Sequence, residues 1–259
     1  MKRRWRSFPH ARDRFELAGP ALKKLWPRLH RGDCEPFPKG APLQDAWRAF
    51  HRGDYELAAE SGLALGADGS SVANKATSIY ATYLEPDARK RLALFEEAAG
   101  RAQAACEERP DDPNAFYLLA YCLGRHAQKS SVLKALTSGT AGRIRQALDR
   151  ALQLAPRHAD AHTALATWHA EVIDKAGGMM GALTYGASQS DALAQYRKAL
   201  ALHPESAIAR VEYAAALTKM DATRKAEARR LLAEAVALEP ADATEQLDVE
   251  LARRRLEAL

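Results

Sequence analysis

The amino-acid sequence predicts an all-α protein, an α-solenoid of stacked antiparallel helix pairs. The 259-residue chain is rich in alanine and has only 7% aromatic residues, a composition that favours close-packed helices over a β-sandwich. Apolar residues recur at helical spacing along the chain, and each such stretch ends at a proline, which cannot continue a helical hydrogen-bond ladder. These prolines indicate an internal repeat: Pro110, Pro156, Pro204 and Pro240 are 46, 48 and 36 residues apart.

The elements follow in order from these boundaries. Residues 1–42 are predicted to be a basic N-terminal arm and a proline-rich connector, with 1–19 mobile unless Trp5, Phe8 and Phe15 anchor them. Residues 43–259 are predicted to form the solenoid, about five helix pairs and a charged, solvent-facing capping helix. The predicted pairs are 43–51 with 55–65, 71–84 with 88–108, 113–127 with 143–154, 159–175 with 190–202, and 206–219 with 222–238, and the capping helix is 242–257.

The repeat resembles the tetratricopeptide (TPR) family, whose 34-residue unit follows the pattern W-x2-L-G-x2-Y…A-x3-F…P. Small residues are needed where the paired helices cross, and the matching positions here are alanines. The resemblance implies a curved stack whose concave face binds a protein or peptide partner. The matching stretches are Phe116-x2-Leu119-Ala120-x2-Leu123, His162-x2-Leu165-Ala166-x2-His169 and Arg210-x2-Tyr213-Ala214-x2-Leu217.

Two repeats are longer than the family unit, by 12 and 14 residues, which places insertions near 128–142 and 176–190. Both insertions contain the pattern ALTxG, at 135–139 and 182–186, so the enlarged unit is interpreted as a duplication. Each is predicted to extend the first helix, form a short helical turn and break at glycine. The enlarged repeat, over 166–200, also resembles the regulator-of-microtubule-dynamics family, but this likeness does not by itself assign a microtubule function.

A concave partner-binding face is predicted from the first helix of each of three pairs. Tyr117 and Tyr121 are four residues apart and form an aromatic stripe, which suits recognition. The alternative is that this stripe packs against the first insertion. The predicted partner-binding residues are Asn114, Tyr117, Tyr121, Arg125, Asp160, Thr163, Thr167, Glu171, Ile208 and Val211.

The insertions give a second hypothesis. Residues 125–150 are mostly basic and residues 176–190 carry no charge, so the pair is predicted to hold a small amphipathic or anionic ligand. In the alternative interpretation, the second insertion is structural filler that caps the groove. The predicted pocket residues are Lys129, Lys134, Leu136, Met180, Leu183 and Tyr185.

The charge distribution and the absence of catalytic motifs argue against nucleic-acid binding and against catalysis as functions of this protein. The net charge is +5, but residues 1–31 carry +8, so the remainder is acidic and no nucleic-acid partner is expected. The arm is either a solvated tail or a weak contact to an anionic membrane, and the oligomeric state stays open. No catalytic motif occurs, so neither an enzyme nor a cofactor is predicted.

The histidines and cysteines give no site either. His158, His162 and His169 are expected to pack between helices rather than bind metal. Three widely spaced cysteines, with no apolar signal segment, favour a reducing, cytoplasmic location.

Overall fold

The computed structural model describes residues 5–11, 13–129 and 139–259, and throughout these ranges the regular structure is helical. Thirteen α-helices in these ranges form five antiparallel pairs with an added helix at each end and one inside the fourth pair, which confirms the predicted fold class. The pairs are α2 with α3, α4 with α5, α6 with α7, α8 with α10, and α11 with α12. The bounds are α1 Ala21–Leu29, α2 Ala41–His51, α3 Tyr55–Ala64, α4 Ser70–Tyr83, α5 Ala88–Glu108, α6 Pro113–Lys129, α7 Thr140–Leu154, α8 Ala159–Ala176, α9 Gly178–Tyr185, α10 Gln189–Leu202, α11 Ala207–Met220, α12 Lys225–Val236 and α13 Ala243–Ala258.

Local chemistry sets the helix ends where the sequence predicts them. Helices α5, α7 and α10 each end two residues before a repeat proline. The following helices start with a capping side chain. It accepts a hydrogen bond from a backbone N–H of the first turn that has no partner within the helix. His158 Nδ1 accepts from Ala161 N at 3.0 Å, and Ser206 Oγ from Ala209 N at 3.2 Å. The repeat turns are therefore specified within a few residues of each proline.

Small residues allow the helices of neighbouring elements to approach closely. Ala120, Ala166 and Ala214, the alanines of the repeat pattern, are all buried. The tightest approach joins α3 to the turn before α4: a Cβ placed on Gly69 would lie 2.0 Å from the carbonyl oxygen of Gly62. Close packing of this kind leaves no room for a larger side chain.

The N-terminal arm is packed, so the expectation that residues 1–19 are mobile is wrong for their described part. Phe8 and Phe15, two of the possible anchors, are buried in one apolar cluster with α2, α3 and α4. The sequence prediction also missed α1, whose Leu22 and Trp26 enter the same cluster. Burial of these large side chains is the reason that the arm is held on the fold.

The two ends of the chain meet: the last helix caps the last repeat pair as predicted, with Arg253, Arg254 and Arg255 exposed, but its other face also packs against the N-terminal arm. Ala243 and Leu247 of α13 enter the apolar cluster of the arm. Arg28 of α1 donates to both carboxylate oxygens of Glu245, at 2.6 and 2.9 Å. His51 Nδ1 of α2 lies 2.8 Å from Asp242, the residue that begins α13. The first and last helices therefore contact each other across one end of the concave side of the stack.

The glycine contact between α3 and α4 gives a stability prediction. Gly69→Ala should lower the free energy of unfolding by about 1–3 kcal/mol, because the new methyl group clashes with the backbone of Gly62. Gly100→Ala is the matched control: Gly100 is a helical residue of α5 whose Cβ would meet nothing within 4 Å, so it should be neutral or slightly stabilising. Urea unfolding measures both, and equal stability of the two variants would contradict the close approach.

Candidate binding cavity on the concave side

The concave side of the stack encloses a cavity of about 240 Å³. Its wall is built from the first helices of the pairs, α4, α6, α8 and α11, together with α13. These helices present the same face because residues three and four apart lie on one side of a helix. Eight of the ten predicted partner-binding residues line this wall: Tyr117, Tyr121, Arg125, Asp160, Thr163, Thr167, Glu171 and Ile208.

Two predicted partner-binding residues are not on this wall. Asn114 is buried, and its amide donates to Glu35 at 2.7 Å while its oxygen lies 3.0 Å from His158 Nε2. Val211 is buried in the apolar cluster of the last repeats. Helical periodicity placed both residues on the concave side, but it could not show that another part of the chain covers Asn114.

Two contacts cross the hollow and narrow it. Arg125 of α6 donates to Glu212 of α11 at 2.8 Å, and its guanidinium also lies 5.1 Å from the ring centre of Tyr121. Burial alone would lower the pKa of Arg125, but the charge of Glu212 outweighs it and raises this pKa, so the ion pair stays charged. Tyr83 of α4 donates to Asp248 of α13. The predicted open groove is thereby reduced to a cavity.

The tyrosine pair lies on the wall as predicted. The ring centres of Tyr117 and Tyr121 are 6.1 Å apart, and Tyr117 also contacts the ring of His158 at 4.7 Å. Burial raises the pKa of Tyr117 well above its usual range, so its phenol is neutral at physiological pH. The alternative packing partner, the first insertion, lies largely in residues 130–138, outside the described residues.

The chain's own segment 28–35, within the predicted arm and connector, forms the cavity floor, where Leu29 and Gly32 line the cavity. The second residues of α4, α6 and α8 all bind this segment. Ser71 Oγ and Asn114 Nδ2 donate to Glu35 at 2.7 Å each, and Asp160 N donates to the carbonyl of Gly32 at 3.0 Å. Because helix N-termini carry partial positive charge, they favour acceptors such as the carboxylate of Glu35 and the carbonyl oxygen of Gly32.

Buried ionisable groups hold the floor together. Lys75 of α4 binds Asp33, and His30 Nδ1 lies 2.9 Å from the same carboxylate. Burial opposes ionisation of Asp33, but its two partners, His30 and Lys75, keep its pKa well below the usual range. Burial lowers the pKa of His30 to about 4, so its ring is neutral at pH 7. Burial and the charge of Asp33 raise the pKa of Glu35 to about 7.

The second insertion does not cover a pocket formed by described residues. Helix α9 places Gly181 against Val172 of α8, and the side chains of Met180 and Leu183 are 57% and 78% exposed. Tyr185 is half-buried against the apolar cluster of α6 to α8. The glycine face of this helix is the one that packs, so Met180 and Leu183 face outward, and the half of the predicted pocket that the first insertion would form lies outside the described residues. The side chain of Lys129, and Lys134 and Leu136, lie outside the described residues.

Neither a metal site nor a membrane span is found in the described ranges. His162 and His169 are buried between helices, as expected, and the described residues contain no group of three His, Cys, Asp or Glu that could hold a metal ion. None of the helices in the described part of the chain is long and apolar enough to cross a bilayer. In the basic arm, Arg14 and Arg31 pair with Glu239 and Glu205, so part of its charge is already neutralised.

The fold and the cavity define a helical-repeat protein of the TPR type. A crystal structure of a thermophilic TPR protein from Thermus thermophilus matches it with a TM-score of 0.56 over 82% of this chain and 97% of that chain, at 17% identity, which shows the shared fold. The family model for Regulator of microtubule dynamics protein 1-3 matches residues 68–259. Because this is more than half of the chain, the protein belongs to that family. A comparison with curated proteins gives no match.

The buried carboxylate of Glu35 gives a pH-dependent prediction. The pKa of Glu35 in the folded state, about 7, lies above its ordinary value. The protonated carboxyl group therefore contributes fully to the free energy of unfolding below pH 4.5, and this contribution is lost as the pH rises through 7. Glu35→Gln keeps an oxygen for Ser71 and Asn114 but has no charge to bury. Relative to the native chain it should gain about 2 kcal/mol of stability between pH 5 and pH 8.

Urea unfolding at the two pH values measures this difference, with Glu60→Gln as the control because Glu60 is exposed on α3. If the Glu35 variant and the native chain differ by the same amount at both pH values, the assigned cause of the pKa shift is wrong.

Proposed function

We propose that this protein is a non-enzymatic adaptor that binds a short segment of a protein partner at the concave cavity. The observation that carries the proposal is the cavity of about 240 Å³, walled by the first helices of successive repeats. Stacked helical repeats typically use this face for recognition. Membership of a family with a TPR-type fold supports the same class of function.

The size of the cavity determines what such a segment can insert. Ligand pockets commonly measure about 300–1,000 Å³, so this cavity has room for one or two side chains and not for a helix. Gln128 and Lys175 line the cavity and are exposed, and they mark its mouth. The partner segment would cross this mouth and insert a side chain between Tyr117 and Asp160.

The wall offers both kinds of contact that binding hot spots use. Tyr117 and Tyr121 present apolar ring surface, and Thr163 and Glu171 provide hydrogen-bonding groups beside it. The ion pair between Arg125 and Glu212 spans the hollow and holds opposite walls at a fixed separation. A preformed cavity of this kind binds with little rearrangement of the protein.

A carrier of a small ligand is the second candidate, and the closure of the cavity favours it. Its site would be the concave cavity rather than the space under the insertions, because Met180 and Leu183 are exposed. Native mass spectrometry of the purified protein distinguishes this candidate: a co-purified small molecule that is absent after denaturation supports it, and a bare mass contradicts it.

A cavity-filling variant tests the adaptor proposal. Gly124 lines the cavity on α6, and a Cβ placed on it would meet nothing within 4 Å, so Gly124→Leu adds a side chain that starts in free space and occupies part of the cavity. A photo-crosslinking residue at Gln128 first captures the partner from lysate of the source organism. The affinity of the purified partner should then fall at least tenfold in Gly124→Leu.

Gly100→Leu is the matched control, since Gly100 is also a helical glycine with free space but lies outside the cavity wall. It should bind the partner like the native chain. A crosslinker at Glu60, on α3 and away from the cavity, should capture no such partner. Equal affinities of the two leucine variants would refute binding at the cavity.

A further inference from the structure

An imidazole without partners lies on the wall of the cavity. His203, between α10 and α11, is only 7% exposed, and among the described residues neither of its ring nitrogens has a hydrogen-bond partner. Burial lowers its pKa to about 4, so the ring is neutral and offers one N–H donor and one lone pair. Buried polar groups are rarely left unpaired, and such an exception points to a polar ligand that is not part of the chain.

The same cavity carries more acidic than basic side chains. Within the described residues, three acids on its wall, Asp160, Asp242 and Asp248, form no ion pair with a lysine or arginine, although the charge of Lys75 acts on Asp160 and Asp242. The cations of the wall are already bound to other acids: Lys75 to Asp33, Arg125 to Glu212 and Lys175 to Asp174.

These acids do not ionise alike: burial opposes the ionisation of Asp242, but its hydrogen bond with His51 and the charges around it together outweigh burial and lower its pKa, whereas the pKa values of Asp160 and Asp248 are raised. Burial raises the pKa of Asp160, and the charge of Asp33 adds to this effect, although Lys75 opposes it. Burial raises the pKa of Asp248 well above its usual range, and the charge of Asp242 contributes. A cation held between these groups would stabilise their charged forms.

We propose that the cavity recognises the guanidinium or ammonium group of an arginine or lysine side chain, supplied by the partner segment. This inference rests on the proposed function and names the chemistry of the partner. The aliphatic stem would lie along Tyr117 and Tyr121, and the charged group would donate hydrogen bonds to the carboxylate of Asp160 and the lone pair of His203. A neutral imidazole accepts such a bond without repelling the cation.

Other occupants fit the wall less well. An anion would face the carboxylates of Asp160, Asp242 and Asp248 with no free arginine or lysine among the described wall residues to neutralise it. A wholly apolar group would leave both nitrogens of His203 unpaired. An extended cationic side chain is the occupant that both pairs with the carboxylates of the wall and donates a hydrogen bond to His203.

The experiment uses three probes on the full chain: N-butylguanidinium, its uncharged isostere N-butylurea, and the peptide acetyl-Gly-Arg-Gly-amide. Binding is followed by NMR of 15N-histidine-labelled protein, in which the His203 ring resonances are assigned with His203→Gln. Butylguanidinium and the peptide should shift these resonances saturably, and butylurea should bind at least tenfold more weakly.

Asp160→Asn should weaken butylguanidinium and peptide binding about tenfold, whereas Glu60→Gln should leave it unchanged. Because burial raises the pKa of Asp160, an asparagine there is expected to fold, and its thermal unfolding is recorded as a check. Asp248→Asn provides a second variant of the same wall. Equal binding of the charged probe and the urea, or equal binding by the native chain and both asparagine variants, would overturn the inference.

The outcomes separate this inference from the adaptor proposal. If a partner is captured at Gln128 but its affinity is unchanged in Asp160→Asn, the adaptor stands and cation recognition fails. If butylguanidinium binds but the arginine peptide does not, a free small cation is the ligand, and the assignment to a partner side chain is overturned.

Discussion

The contact between the two ends of the chain is the constraint on which the rest of the structure depends. Phe8, Phe15 and Trp26 share one apolar cluster with Ala243 of the last helix. The burial of these large side chains is the main stabilisation of the contact between the two ends. The ion pair of Arg28 with Glu245 adds little net free energy, because desolvation offsets much of its attraction. What the ion pair does specify is the position of the last helix, and that position narrows the concave side of the curved stack to a partly open cavity.

The contact between the two ends of the chain also affects the cavity floor. Segment 28–35 occupies the ends of the first helices, where an open solenoid would present their N-terminal residues to a partner. Glu35 takes the hydrogen bonds of Ser71 and Asn114, and Gly32 takes that of Asp160 N. The protein therefore binds part of its own chain at one end of its concave side and leaves a small space above it. In the proposed adaptor, the partner segment can insert only the side chains that this remaining space accepts.

The polar chemistry of the cavity follows from the same arrangement. In an open groove, water would satisfy His203 and screen Asp160 and Asp248. In the narrowed cavity His203 is buried without a hydrogen-bond partner among the described residues, and burial makes Asp160 and Asp248 harder to ionise. The charge of the wall is thus a property of the closed stack, although each acid is plainly visible in the sequence.

The sequence by itself determined the paired helices of the repeats and most of the residues that they turn inward. Pro156 and Pro204 each follow the end of a helix, Ala166 permits a close crossing, and Tyr117 and Tyr121 share a helix face because the helical period is fixed. Only the tertiary structure decided that the arm is packed, that Asn114 is covered, and that the second insertion turns Met180 outward. The physical reason is the sequence separation over which each interaction acts. Helix caps and helical periodicity involve residues a few positions apart, whereas the ion pair of Arg28 with Glu245 joins positions 217 residues apart and forms only when the whole stack is folded.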